Sequence, residues 1–160
     1  MADPSRRRFL QASVTALGLL TLGGAGIRPV AASEPDEPEI PNDEIRKLLH
    51  DLFGDRPIRR GHVDLDMPAV AEDGRVVPVM IESDLPMTEA SYVKGVHLIV
   101  DHNPDPHLAA FELTPAIGEV AIQTRIKMKR TTWVRAIAET SDGQVWAGYA
   151  KVMVTLNGCG

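Results

Sequence analysis

Cysteine is almost absent from this chain of 160 residues: Cys159, one position before the C-terminal glycine, is the single one. A lone cysteine forms no internal disulfide, so no covalent crosslink holds the fold. Signatures of common catalytic and nucleotide sites are absent too. There is no Gly-x-Ser-x-Gly elbow, phosphate-cradling loop or dinucleotide fingerprint. Positive charge is in deficit, with 17 basic against 22 acidic residues and a net charge of −5. A chain of that sign does not seek phosphate backbones, which argues against nucleic-acid binding. Long apolar runs are missing as well. Ala12 to Ile27 is apolar for 16 residues but includes Gly18, Gly23, Gly24 and Gly26, too short and weak for a good membrane span.

What precedes and follows that run gives it a meaning. Arg6, Arg7 and Arg8 stand before Phe9-Leu10, and Val30-Ala31-Ala32 closes the segment with small residues. This is the order of an export signal. The Arg6-Arg7 pair gives it the twin-arginine form, which carries folded proteins across the bacterial membrane. Residues 1–32 are therefore expected to be a twin-arginine signal peptide cleaved after Ala32, which places the mature protein in the periplasm with no membrane anchor. Four arginines and one aspartate leave with it, so residues 33–160 carry 13 basic and 21 acidic residues, a net charge of −8. In an oxidising exported compartment an odd cysteine means intermolecular pairing or a reactive thiol.

Residues 33–41 form a Pro/Glu/Asp linker too polar to pack. Asn42 is a good N-cap, Asp43 and Glu44 suit a helix start, and Gly54 ends the helix. Ile45, Leu48, Leu49, Leu52 and Phe53 make one apolar stripe, for which a sheet face or a partner subunit would serve. From Gly61 the period changes to two. Strands are expected over Val63–Met67, Val76–Ser83, Val93–Asp101, Ala109–Leu113, Val120–Met128, Thr131–Thr140 and Val145–Leu156. Pro78 marks the second of these as an edge or bulged strand. In the fifth, Val120, Ile122, Ile126 and Met128 face one way and Gln123, Arg125, Lys127 and Lys129 the other. The seventh, at the sandwich edge, aims the tail outward. Seven short strands and one helix predict an all-β fold, an antiparallel β-sandwich over residues 42–156.

The tail is Leu156-Asn157-Gly158-Cys159-Gly160. Glycine flanks give Cys159 wide backbone freedom and no neighbour to dock in a core. A catalytic cysteine needs a positioned base, and a thiol on a free arm holds no fixed geometry with one. The physics favours a thiol that carries something while other proteins perform the chemistry, so the chain reads as a carrier and not an enzyme. The terminal carboxylate, a few bonds from the sulfur, disfavours the thiolate and keeps the thiol slow by itself. His97, His102 and His107, with Asp101 and Asp105 nearby, offer a competing metal reading. Their spacing of five matches no helix face and alternates sides on a strand, so no metal or other cofactor is assigned. An exported structural sandwich joined to another chain through Cys159 is a third reading.

Several segments resemble the SoxY family of the bacterial thiosulfate-oxidising Sox system. They include Leu52-Phe53-Gly54, Val63-Asp64-Leu65-Asp66-Met67-Pro68, Pro86-Met87-Thr88-Glu89-Ala90, Tyr92-Val93-Lys94, Asn103-Pro104, Phe111-Glu112-Leu113-Thr114-Pro115, Thr124-Arg125-Ile126, Ala138-Glu139, Ser141-Asp142-Gly143 and the Cys159 tail. The resemblance implies an immunoglobulin-like sandwich that pairs with a SoxZ-like small subunit. It implies that thiosulfate is joined to Cys159 by a SoxXA-like haem enzyme, that a SoxB-like hydrolase releases sulfate, and that a SoxCD-like enzyme processes the remaining sulfane. The carrier arm is then Asn157, Gly158, Cys159 and Gly160. The family tail is Gly-Gly-Cys-Gly-Gly, so Asn157 and the missing last glycine are departures. Asn tolerates left-handed backbone better than most residues, so the expected arm mobility is reduced only modestly.

Overall fold

The computed structural model describes residues 41–155. The expected leader with Arg6 and Arg7, the linker up to residue 40, and the arm Asn157, Gly158, Cys159 and Gly160 lie outside the described residues.

The chain opens with helix α1 (Asp43–Phe53), whose start is set by Asn42: its side chain accepts the Ile45 N–H at 2.8 Å. Gly54 closes it with φ +63°, a left-handed value that favours glycine. Nine strands follow: β1 (Ile58–Arg60), β2 (Val63–Asp66), β3 (Val70–Ala71), β4 (Val77–Ser83), β5 (Val93–Val100), β6 (His107–Glu112), β7 (Val120–Ile126), β8 (Thr132–Thr140) and β9 (Val145–Val154). One sheet runs β1-β9-β8-β5-β6, with β3 also on β9; the other runs β2-β4-β7. The expected sandwich is present. Seven of its strands are the expected ones, and β1 and β3 are additions of three and two residues that pair parallel to β9.

Apolar alternation builds the interior. Val63 and Leu65 of β2, Val77, Val79 and Ile81 of β4, and Val120 and Ile126 of β7 face Val96, Leu98, Val134, Ala136, Ala138 and Val152 of the larger sheet. The predicted two faces of β7 hold: Val120, Ile126 and Met128 are buried, while Gln123, Arg125, Lys127 and Lys129 are exposed. β8 does not alternate, because both of its faces are covered. Its Ile137, with Ile99, Val145 and Ala147, packs under Ile45 and Phe53 of α1, and Leu48, Leu49 and Leu52 complete that second cluster. The helix stripe thus rests on a sheet face of its own chain.

Two expectations about edges are corrected. β4 is the central strand of its sheet, not an edge. Pro78 is tolerated because β2 ends opposite Met80, so at Pro78 the strand is flanked by β7 alone, opposite Arg125. Proline lacks an N–H, and at that position no ladder on the open side requires one. β9 is likewise interior, held between β8 and the short strands β1 and β3.

The sheets meet closely where the chain passes from β1 to β2. Gly61 and His62 have φ +118° and +58°, which swings the chain out of one sheet and into the other. β2 then crosses Gly148 of β9 so closely that a Cβ there would overlap the Val63 carbonyl oxygen.

Candidate functional site

The root of the tail is built from distant segments. Ala69–Glu72 runs alongside the end of β9. The Met153 N–H donates to the Ala69 carbonyl at 2.9 Å and the Thr155 N–H to the Ala71 carbonyl at 3.1 Å. Thr155 Oγ1 adds a bond to the Glu72 carbonyl at 3.0 Å, and on the other side the Val154 N–H donates to Thr131 Oγ1 at 2.9 Å. The backbone is therefore fixed up to Thr155. Cys159 lies four residues beyond, a reach of about 13–14 Å for extended chain.

Basic residues precede Thr131 along the chain. Lys127, Lys129 and Arg130 are exposed on the segment that leads into Thr131, and Arg125 precedes them on β7. These four are nearly a third of the 13 basic residues of the expected mature chain. Among the described residues none of them has an ion-pair partner, whereas Arg75 beside them is spent on Asp73. The sequence hides this setting: Thr131 and Val154 are far apart along the chain and meet only because β9 returns past Thr131.

The histidines divide. Nδ1 of His97 and Nε2 of His107 stand 3.1 Å apart, their rings tilted by 31° with centroids 5.2 Å apart. His102 joins neither and occupies a left-handed turn with φ +64°. Asp101 is committed elsewhere, accepting from Nε and Nη2 of buried Arg135 at 2.8 and 2.7 Å. Beside it Asn103 ties that turn down, donating to the Lys127 carbonyl and accepting the Lys129 N–H. Burial, and then the neighbouring charge of His107, hold His97 below the ordinary histidine value against the pull of Glu139. Burial opposes ionisation of Glu139, but hydrogen bonds from Lys94 and Arg56 and their charges outweigh it and hold its carboxyl below the usual range. Among the described residues no cluster of three or more His, Cys, Asp or Glu side chains could hold a metal ion.

A third polar group sits at the sheet crossing. His62 Nδ1 lies 2.7 Å from Asp84 Oδ1, and its ring meets the Trp146 ring edge-on at 4.4 Å. Trp146 Nε1 is buried without a hydrogen-bond partner among the described residues. An open cleft of about 410 Å³ lined by His62, Asp64, Glu82 and Asp84 adjoins it. Its carboxylates are exposed, and the Ser83 hydroxyl on its wall donates to the His62 carbonyl.

A family model described as "Sulfur oxidation protein SoxY" matches residues 49–159, a span whose last residue is Cys159. No curated protein matches the chain. Among solved structures, the sulfur carrier protein SoxY from Chlorobium limicola f thiosulfatophilum superimposes with a TM-score of 0.60 at 21% identity, covering 70% of this chain and 96% of that one. Superoxide reductase (neelaredoxin) from Ignicoccus hospitalis superimposes with a TM-score of 0.53 at 15% identity, covering 59% and 80%. At these identities the likeness speaks for the sandwich alone.

Proposed function

The chain belongs to the SoxY family of sulfur oxidation proteins, and we propose that it is a periplasmic carrier whose Cys159 thiol holds thiosulfate-derived groups while other proteins transform them. The observation that carries this reading is the family match, which runs the length of the sandwich and ends on the sole cysteine of the chain. The Chlorobium protein of like fold is itself a sulfur carrier.

Loading is an oxidation. The Cys159 sulfur forms a bond to the outer sulfur of thiosulfate, the thiol proton leaves, and a pair of electrons passes to a SoxXA-like haem enzyme. Water then cleaves the bond between that sulfur and the sulfonate at a SoxB-like hydrolase, giving sulfate, a proton and a persulfide on Cys159. A SoxCD-like enzyme oxidises the remaining sulfane sulfur. The carrier supplies attachment and reach, with no cofactor of its own. The backbone is fixed as far as Thr155, four residues before Cys159.

The same reading includes export by the Arg6-Arg7 signal as a folded pair with a SoxZ-like subunit. What supports a partner is the outer face of β2-β4-β7. No helix of the described residues covers it, and β7 leaves a free edge. The helix stripe gives that pairing no support, since α1 covers its own sheet. The test is loading in vitro with thiosulfate and the haem enzyme, comparing the native chain with Cys159→Ser. Reducible mass should appear on the native chain alone; equal loading of the folded variant would refute the proposal.

A further inference from the structure

His97 and His107 are unused by the carrier reading, and their geometry is that of donors. β5 and β6 pair antiparallel, with a register shift between Leu98 and Ile99 that sets His107 opposite Ile99 and His97 opposite Ala110. The shift brings the two rings, on diagonal positions, nitrogen to nitrogen. We propose that His97 Nδ1 and His107 Nε2 chelate a borderline divalent cation, Cu²⁺ or Zn²⁺, at the β5–β6 edge.

The spacing carries the argument. Metal–imidazole bonds of about 2.0–2.1 Å closing on donors 3.1 Å apart subtend an angle of about 95–100° at the metal. That suits neighbouring donors in a tetragonal Cu²⁺ site and falls only slightly short of a tetrahedral Zn²⁺ angle. The rings are oriented before any ion arrives. The Phe53 ring meets His97 at 90° with centroids 5.2 Å apart, pinning it from the helix side. Among the described residues neither ring has another hydrogen-bond partner. A cleft of about 540 Å³, lined by Lys94, Gly95, His97, Phe111, Glu112 and Glu139, reaches the His97 ring, and His107 is half-buried on β6. Binding replaces the N–H···N bond between the rings. The proton held there moves to the far nitrogen of its own ring, so no net proton is released. Glu139 is held by Lys94 and Arg56, and water fills the remaining positions.

The test uses the Cys159→Ser chain, which removes the competing thiolate. Titration calorimetry with Cu²⁺ and with Zn²⁺ should show one ion per chain, and Cu²⁺ electron paramagnetic resonance should show two nitrogen donors. His97→Ala or His107→Ala should each weaken binding about tenfold or more, while His102→Ala leaves it unchanged. Should either alanine variant fail to fold, His107→Gln on the edge strand replaces it. Absence of saturable binding, or affinity unchanged by the His97 and His107 substitutions, overturns the proposal.

Discussion

Gly148 is where one hydrogen atom decides how closely the two sheets approach. The Val63 carbonyl lies against it, so adding a methyl group means moving backbone rather than rotating a side chain. Gly148→Ala should cost about 1–3 kcal/mol, read as a lower urea midpoint with an unchanged slope. Nothing in the sequence marks this glycine, because its need arises from β2, a strand of the other sheet that crosses it. His97 gives a second measurement at this scale. Its lowered folded-state value means the unfolded chain takes up its proton first, at about pH 6.5. Stability should be level above that pH and should fall as pH drops towards the lowered value. His97→Gln should flatten that part of the melting-temperature profile between about pH 8 and pH 5. An unaltered profile would mean that His97 does not resist protonation in the folded state.

Among the elements, α1 joins sequence to packing most plainly. Ile45 is wholly buried and Phe53 nearly so, on Ile99, Ile137, Val145 and Ala147. Ile45→Ala should cost about 2–5 kcal/mol by leaving a cavity under the helix. Asn42→Ala should cost about 1 kcal/mol through the lost cap. Chemical denaturation reads both. The helix was legible because its cap, stripe and terminal glycine all lie within a dozen residues. The seven longer strands were legible for the same reason, each carrying its own alternation or turn. β1 and β3 have three and two residues and no period, so only their pairing with β9 defines them. Pro78 misled because a proline reports on its own flank and not on the whole strand: β4 is central, yet open on one side at that position.

For the whole molecule, a sandwich fixed as far as Thr155 precedes the segment that holds Cys159. Cys159 stands out in the sequence because it is solitary and flanked by glycine. The setting of Thr155 was not legible, since Thr131 and Val154 come together only through the path of β9. The central claim is that Cys159 carries sulfur groups in the cell. It is tested most directly by the intact mass of the mature protein taken from the periplasm of thiosulfate-oxidising cells, before and after reductant. The account predicts added masses of sulfur or thiosulfonate that reductant removes and that peptide mapping places on Cys159. It further predicts that Cys159→Ser shows none while melting at the native temperature. A native protein without reducible mass under those conditions, or the same masses on the folded Cys159→Ser protein, would contradict it.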